Sequence, residues 1–163
     1  MAKIHINIGS NQDREANIVG AIELLRLNFG DIKISDIFES PAQGFEGDDF
    51  YNIGVNANTE LSVDDVNAVL KDIEKTFGRD RSAPKFSSRL IDLDLVVYDE
   101  IIDEKSNLPR NDILLYSFVL APLAQLSGSD IHPLENKSFQ QLWQEFQTKN
   151  QFQLSQYNIE KIL

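Results

Sequence analysis

Two aspartates lie directly after a group of cationic side chains, and this stretch has the residue types and spacing to do chemistry. Asp92 and Asp94 interrupt an apolar run. A β-strand repeats every two residues, so the two carboxylates would project from the same face. Two like charges at that spacing repel, and a cation, a metal ion or solvent must relieve them. The cationic residues just before them are Arg79, Arg81, Lys85 and Arg89.

Together these groups suit a nucleotide that carries magnesium. Magnesium takes oxygen ligands and commonly binds through one or two carboxylates plus substrate phosphates. Guanidinium groups match phosphate oxygens. Residues 71–89 hold six of the fifteen Lys and Arg residues, in a chain whose net charge is −11. A solvated strand face and a salt-bridged helix end are the alternative readings of the acidic pair and the basic patch.

The composition limits the class of protein. At 163 residues without cysteine, the chain predicts a single domain, residues 1–163, with neither disulfides nor thiolate metal sites. No apolar run approaches the roughly 20 residues of a membrane helix. The net charge argues against general binding to nucleic acids, which depends on neutralising phosphates. We therefore expect a cytoplasmic protein, a monomer by preference, that binds small molecules.

Hydrophobic periodicity predicts the elements that position the acidic pair. Alternating residues predict strands at 3–9, 32–39, 51–58 and 91–98, and apolar stripes at helical spacing predict helices within 18–29 and 63–77. Ser62 and Asp65 have the spacing of a capping box at the start of the second helix. The order β-α-β-β-α-β predicts an α+β, ferredoxin-like core with an antiparallel sheet and both helices on one face.

The last third of the chain predicts additional C-terminal helices. Residues 114–126 favour a helix that Pro122 should bend or interrupt. Ser138 and Gln141 form another capping box, which opens a short helix. From residue 147 onward the sequence carries no chemical signal.

The face of the sheet away from the two helices is expected to be polar and to form the floor of a site. If the isoleucines and valines meet the helices, polar residues from three strands converge on the opposite side. They are His5, Asn7, Asn52, Asn56, Asp92 and Asp94.

Several other residues have both a structural and a functional interpretation. His5 lies within an apolar strand and His132 precedes a proline, so a structural role is expected for both. Capping of the first helix is favoured for Ser10, Asn11 and Asp13. Aromatic residues near loops are core by default, yet two of them could stack on a flat heterocycle while the Asn52 amide contacts its edge. These aromatics are Phe45, Phe50, Tyr51 and Phe118.

No common phosphate-binding glycine motif is present, so side chains must bind any nucleotide.

Over residues 3–135 the chain resembles the 6-hydroxymethyl-7,8-dihydropterin pyrophosphokinase family of folate biosynthesis. The resemblance rests on Gly9-Ser10-Asn11, Ser40-Pro41, Phe50-Tyr51-Asn52, Gly78-Arg79, the run from Arg89 to Val96, Leu108-Pro109, Asp112, Phe118 and Ala121-Pro122-Leu123.

The resemblance implies a ferredoxin-like enzyme that transfers the diphosphate of ATP to the hydroxymethyl group of the pterin and leaves AMP, with Mg²⁺ as cofactor. It implies that Asp92 and Asp94 hold magnesium and that Arg79 and Arg89 are catalytic, acting on the diphosphate. ATP-binding roles would fall to Glu74, Arg81, Lys85, Arg89 and Arg110, and pterin-binding roles to Ser40, Pro41, Gln43, Phe50, Asn52 and Phe118.

The chain also departs from the family pattern. Ser87-Ser88 replace a usual Gly-Pro, Arg110 replaces a usual His, and Tyr116 stands where a basic residue is expected. Two alternatives follow. One is a diverged paralogue that binds nucleotide or pterin with weak or altered activity, and the other is a noncatalytic ferredoxin-like domain whose acidic pair is a solvated strand face.

Overall fold

The computed structural model describes residues 1–42, 47–78 and 91–163. In these ranges the strands are β1 Ala2–Ser10, β2 Lys33–Ile34, β3 Ile37–Ser40, β4 Phe50–Thr59, β5 Asp92–Tyr98 and β6 Ser155–Tyr157. The helices are α1 Arg14–Phe29, α2 Val63–Thr76, α3 Asp112–Leu115, α4 Ser117–Ser127 and α5 Phe139–Lys149, followed by a 3₁₀ turn at Ile159–Lys161. None of the helices in the described ranges is long and apolar enough to cross a membrane.

The strands form one antiparallel sheet in the order β5-β1-β4-β3-β6, and β2 also pairs with β4. β1 therefore lies between β4 and β5, and β5 is at the edge. The first four predicted strands correspond to β1, β2 with β3, β4 and β5, so their order agrees with the predicted α+β, ferredoxin-like core. The sheet brings β5, which carries the acidic pair, directly against β1.

The main core lies between the sheet and the helices α1 and α2. Ile4, Ile6 and Ile8 of β1 point into it and are at most 1% exposed. Ile22 of α1 and Leu70 of α2 pack in the same cluster. This arrangement follows from the alternation of the strand and the helical stripes, because each apolar face must be buried against another.

A second apolar cluster covers part of the opposite face of the sheet. It joins Val96 of β5 to residues of α4 and α5, including Leu120, Leu123 and Phe139. Pro122 of α4 lies over Gly54 of β4, where an added Cβ would be only 2.9 Å from the proline Cβ. The expected polar face is therefore covered by α4 at one end and carries Asp92 and Asp94 at the other.

The strand predicted at 32–39 is divided into β2 and β3, so the single-strand prediction was wrong. The division occurs at Ser35 and Asp36. Ser35 Oγ accepts a hydrogen bond from Gly54 N at 2.8 Å, and Asp36 N donates to Gln125 Oε1 at 2.8 Å. These side-chain contacts replace regular ladder bonds, as polar side chains near the backbone can do.

The C-terminal third also differs from expectation. The helix predicted at 114–126 breaks at Tyr116, whose backbone is extended, whereas α4 continues through Pro122. Packing of this proline against Gly54 compensates for the backbone hydrogen bond that it cannot make. The tail, which carried no recognisable signal, adds β6 beside β3.

Both predicted capping boxes are confirmed at their serines, because Ser62 Oγ accepts from Asp65 N and Ser138 Oγ accepts from Gln141 N, each at 3.1 Å. Capping of α1 differs from expectation. Asp13 occupies the N-cap position, but its side chain makes no capping hydrogen bond. Asn11 instead ties the following loop to β1, donating from Nδ2 to Asp48 O at 3.2 Å.

Candidate active site

The two acidic side chains lie on one face of β5, as the strand period predicts. In the register of β1 and β5, Asp92 is opposite Gly9 and Asp94 is opposite Asn7. Both aspartates are partly exposed, whereas Leu93 between them is 1% exposed and faces the main core. The carboxylates therefore face the surface beside β1.

The charge of Asp94 is poorly compensated. Burial, and next the neighbouring carboxylate of Asp92, raise the pKa of Asp94 from an ordinary 3.8 to about 7, although Arg110 opposes the shift. Glu74 and Asp112 add further negative charge. Such a shift marks a place where a cation would be favoured.

Glu74 of α2 holds the strand between the two aspartates. Its side chain is 1% exposed, and its Oε2 accepts a hydrogen bond from Leu93 N at 2.8 Å. A buried carboxylate that receives a backbone N–H fixes the position of that backbone. Glu74, predicted to bind ATP, thus contacts the backbone segment that carries Asp92 and Asp94.

Arg110 lies at the carboxylates. Its Nε donates to Asp112 Oδ2 at 2.9 Å, and its Nη2 is 3.8 Å from Asp94 Oδ1. Its backbone N also donates to Val96 O at 2.9 Å, which ties the segment before α3 to β5. The guanidinium therefore sits where phosphates and the acidic pair would meet.

A cavity of about 550 Å³ opens beside Asp94, between β5 and α2. Its lining includes Asp94, Arg110, Lys71 and Lys105. Neither lysine was among the predicted site residues. Lys105 belongs to a polar connector, and no local pattern relates it to Asp94. The lining also includes Asp64, but the three cations outnumber the two carboxylates, which favours an anionic ligand.

The other end of the acidic pair lies near a buried polar cluster on β3 and β4. Asn52 is 3% exposed and donates from Nδ2 to Ser40 Oγ at 3.0 Å and to Phe38 O at 3.3 Å. An added Cβ on Gly9 would lie 3.3 Å from Asn52 Oδ1. The structure thus brings Ser40 and Asn52 together and places the Asn52 amide beside Gly9, which is itself opposite Asp92.

The aromatic residues predicted to stack on a ligand, Phe50 and Phe118, are not in a contact like that of Ser40 with Asn52. Phe50 begins β4, opposite Ser40 in the register. Phe118, in the first turn of α4, stacks on Tyr116, with ring centroids 5.0 Å apart and an angle of 17° between the planes. Pro41 follows β3 and is partly exposed. Stacking of a ligand between Phe50 and Phe118 stays a prediction.

Five predicted site residues lie outside the described part of the chain. They are Gln43, Arg79, Arg81, Lys85 and Arg89.

The acidic pair fits a magnesium ion that shares its coordination with a substrate. Within residues 1–42, 47–78 and 91–163, no group of three or more His, Asp and Glu side chains is placed to hold a metal. Magnesium commonly uses only one or two carboxylates and completes its shell with phosphate oxygens and water. Two carboxylates on one strand face, one of them with a raised pKa, match that requirement.

The two histidines fit the structural role expected for them. His5 is 2% exposed, and its Nδ1 lies 2.6 Å from Asn56 Oδ1. His132 Nδ1 accepts hydrogen bonds from Leu134 N and Glu135 N, each at 3.2 Å, which closes a turn. Neither arrangement resembles a general base directed at the acidic pair.

Comparisons with known proteins agree with this geometry. The profile of the 7,8-dihydro-6-hydroxymethylpterin-pyrophosphokinase (HPPK) family matches residues 5–128. The 2-amino-4-hydroxy-6-hydroxymethyldihydropteridine pyrophosphokinase of Aquifex aeolicus is 35% identical over 141 residues, covering 84% of this chain and 88% of its own. The protein with the same description from Methylorubrum extorquens is 32% identical over 134 residues, covering 78% and 84%.

Solved structures support the fold. HPPK-DHPS of Plasmodium falciparum superposes with a TM-score of 0.70 at 13% identity and covers 91% of this chain. The present chain spans only 44% of that longer protein. At such low identity the similarity concerns the fold alone, and it agrees with the ferredoxin-like arrangement of β1 to β5.

Proposed function

The chain belongs to the 7,8-dihydro-6-hydroxymethylpterin-pyrophosphokinase family, and we propose that its acidic pair is the centre at which a diphosphate group passes from ATP to the pterin. The protein is an ATP-dependent pyrophosphokinase of folate biosynthesis. It transfers the diphosphate to the hydroxymethyl group of 6-hydroxymethyl-7,8-dihydropterin and releases AMP. Its family and its relatives of similar length agree on this activity.

The observation that supports the proposal best is the position of the acidic pair between a cationic cavity and a buried polar cluster. On one side of Asp94 lies the cavity whose lining includes Lys71, Lys105 and Arg110 as well as Asp64, and its cations suit polyphosphate. Near Asp92, across Gly9, lies the Asn52 amide, which suits the edge of a polar heterocycle. Transfer between two bound substrates requires their reacting groups to meet, and we propose the acidic pair as that meeting point.

Asp92 and Asp94 are proposed to hold Mg²⁺. When bound there, the ion would neutralise negative charge on the phosphate oxygens and help align them. Arg110 contributes a second positive charge on the same side. Glu74 acts as a positioning residue, because its hydrogen bond from Leu93 N keeps both aspartates turned to the same face.

The remaining site residues keep the roles that the family resemblance implies. Arg79 and Arg89 neutralise the charge that develops on the diphosphate, and Arg81 and Lys85 bind ATP. Ser40, Pro41, Gln43, Phe50, Asn52 and Phe118 line the pterin pocket. The hydrogen bond from Asn52 to Ser40 supports this grouping on the described side of the pocket. Phosphoryl transfer needs mainly alignment and charge neutralisation, so the lack of a histidine near Asp92 is no obstacle.

The proposal includes a single-domain monomer in the cytoplasm. The two apolar clusters share one sheet, which supports a single domain. Size-exclusion chromatography with light scattering tests the monomer directly, and a mass near twice 18.5 kDa would contradict it.

Replacing both aspartates tests the proposed centre. The double variant Asp92→Asn with Asp94→Asn should lose magnesium-dependent binding of a non-hydrolysable ATP analogue, measured by calorimetry. Binding of the pterin to the Ser40 side should persist. Asp72→Asn, an exposed carboxylate on α2, is the matched control and should bind both ligands normally. Undiminished magnesium-dependent binding in the double variant would leave the acidic pair as a solvated strand face and would contradict the proposal.

A further inference from the structure

Two buried side-chain polar atoms in the described ranges have no hydrogen-bond partner, and both belong to β1. They are His5 Nε2 and Asn7 Oδ1. The residues are 2% and 7% exposed and lie two positions apart on β1, so their side chains share the face that carries the acidic pair. A buried polar atom without a partner is costly and requires an explanation.

The contacts of Asn56 determine what His5 Nε2 needs. Asn56 Nδ2 donates to Ser127 Oγ at 2.7 Å, so Asn56 Oδ1 is the atom that faces the imidazole. With the Asn56 oxygen facing the ring, that oxygen can only accept, so His5 Nδ1 carries the ring proton. Burial, the largest cause, lowers the pKa of His5 to about 4, and the ring is neutral. Its Nε2 is therefore an acceptor that requires a donor.

Gly54 brings this acceptor to Asn7. A Cβ on Gly54 would lie 2.9 Å from His5 Nε2 and 2.6 Å from His5 Cε1, so the imidazole edge rests on this glycine. Asn7 is the residue directly opposite Gly54. Opposed Cβ positions are about 4.5–5.5 Å apart, a distance that an amide on Asn7 can span to reach the ring.

The network decides which end of the Asn7 amide faces His5. The oxygen and the NH₂ group of an amide have nearly the same shape, but only NH₂ can donate to Nε2. With Nδ2 turned towards His5, the amide donates to the acceptor Nε2, and Asn7 Oδ1 leaves the buried position in which it has no partner. Asn7 Oδ1 then faces the surface beside Asp94, its partner on β5.

We propose that Asn7, held in this orientation by His5, is a specificity-determining residue whose Oδ1 accepts a hydrogen bond from an O–H group bound at Asp92 and Asp94. This inference rests on the proposed function, which supplies the O–H group that would donate to Asn7 Oδ1. The donor is either the hydroxymethyl group of the pterin or a water molecule on the bound metal ion. His5, Asn56 and Ser127 are positioning residues, which link the end of α4 to the floor of the site.

The hydrogen-bond chain is tested without any ligand. In the ¹⁵N-labelled protein, the NMR spectrum should show His5 protonated at Nδ1, and a scalar coupling should join Asn7 Nδ2 to His5 Nε2. The coupling should disappear in Asn7→Leu and remain in Asn58→Leu, which changes an exposed asparagine on β4. A proton on Nε2 would mean that Asn7 Oδ1 faces inward, and it would overturn the proposal.

Binding measurements then identify the donor. If it is the substrate hydroxyl, Asn7→Leu should weaken binding of 6-hydroxymethyl-7,8-dihydropterin roughly threefold to tenfold and leave binding of the 6-methyl analogue unchanged. If it is a metal-bound water, the same variant should weaken Mn²⁺ binding in the presence of a non-hydrolysable ATP analogue. Asn58→Leu should alter neither.

Full affinity of Asn7→Leu in both measurements would overturn the role of Oδ1. If Asn7→Leu does not fold, Asn7→Ala is measured against the same control. A wild-type protein that binds neither substrate but shows the coupling would contradict the proposed function and the ligand role built on it, while supporting the hydrogen-bond chain.

Discussion

Replacing Asp94 with Asn should stabilise the metal-free protein at the same time as it removes a proposed metal ligand. The folded pKa of Asp94, about 7, lies above the ordinary value of 3.8. The folded state therefore holds the proton more tightly, and this carboxyl lowers stability progressively as the pH rises from about 4 to about 7. Above pH 7 Asp94 is ionised in the folded state and its destabilising effect is complete. The amide of Asn is neutral at every pH and does not have this effect.

The difference between the ordinary pKa of Asp94, 3.8, and its folded pKa, about 7, corresponds to a loss of unfolding free energy of roughly 4 kcal/mol as an upper limit. The Asp94 side chain is 23% exposed, so water screens part of the repulsion. We expect about 2 kcal/mol of added unfolding free energy at pH 8, equivalent to about 4–8 °C in Tm for a chain of this size. Arg110 keeps its bond to Asp112 in the variant.

Urea unfolding in the presence of a chelator measures this effect at two pH values. The unfolding free energy that Asp94→Asn adds should fall to about 0.5 kcal/mol at pH 4.5, because Asp94 is protonated in the folded wild type at that pH. Asp72→Asn, on the exposed side of α2, should change the unfolding free energy little at either pH. The reasoning is refuted if Asp94→Asn gives no gain at pH 8, or if its gain is the same at both pH values.

Three further predictions concern the supports of the site. Gly54→Ala would place a Cβ 2.6 Å from His5 and 2.9 Å from Pro122. It should therefore lower the unfolding free energy, measured by urea titration, by about 1–3 kcal/mol. An unchanged urea midpoint would contradict the close packing at Gly54. His5 stays neutral when folded, with a pKa of about 4, so the unfolded state alone gains its proton as the pH falls below 6.5. Stability should drop by about 2 kcal/mol between pH 7 and pH 5 relative to His5→Gln, and parallel pH profiles of the two proteins would argue against a neutral buried ring. Glu74→Ala removes the acceptor for Leu93 N and should cost about 1–3 kcal/mol and weaken Mn²⁺ binding, whereas Glu74→Gln retains an acceptor and most of both properties. Equal losses in the two variants would show that the charge of Glu74, not its hydrogen bond, is what matters.

Local features of the site could be predicted from the sequence because they depend on short spacings. Asp92 and Asp94 share a face since a strand repeats every two residues. The serines at 62 and 138 cap helices since each side chain reaches a backbone N–H three residues away. The apolar stripes of the helices and the alternation of the strands likewise predicted which faces meet in the main core. The order of these elements along the chain predicted the ferredoxin-like fold.

Long-range features escaped prediction because no local pattern encodes them. The contact of Pro122 with Gly54 covers half of the polar face, but its partners are far apart in the sequence. Arg110 approaches Asp94 only because the connector folds back along β5. The division of the second strand depends on Gln125, which reaches Asp36 from α4.

The central claim is tested most directly by following both products of the reaction in one tube. The purified protein, magnesium and ATP should form AMP only when 6-hydroxymethyl-7,8-dihydropterin is present, and the pterin diphosphate should appear in equal amount by chromatography. Asp92→Asn combined with Asp94→Asn should abolish both products, and Asp72→Asn should form them normally. A folded wild-type protein that binds both substrates yet forms neither AMP nor pterin diphosphate would contradict the account.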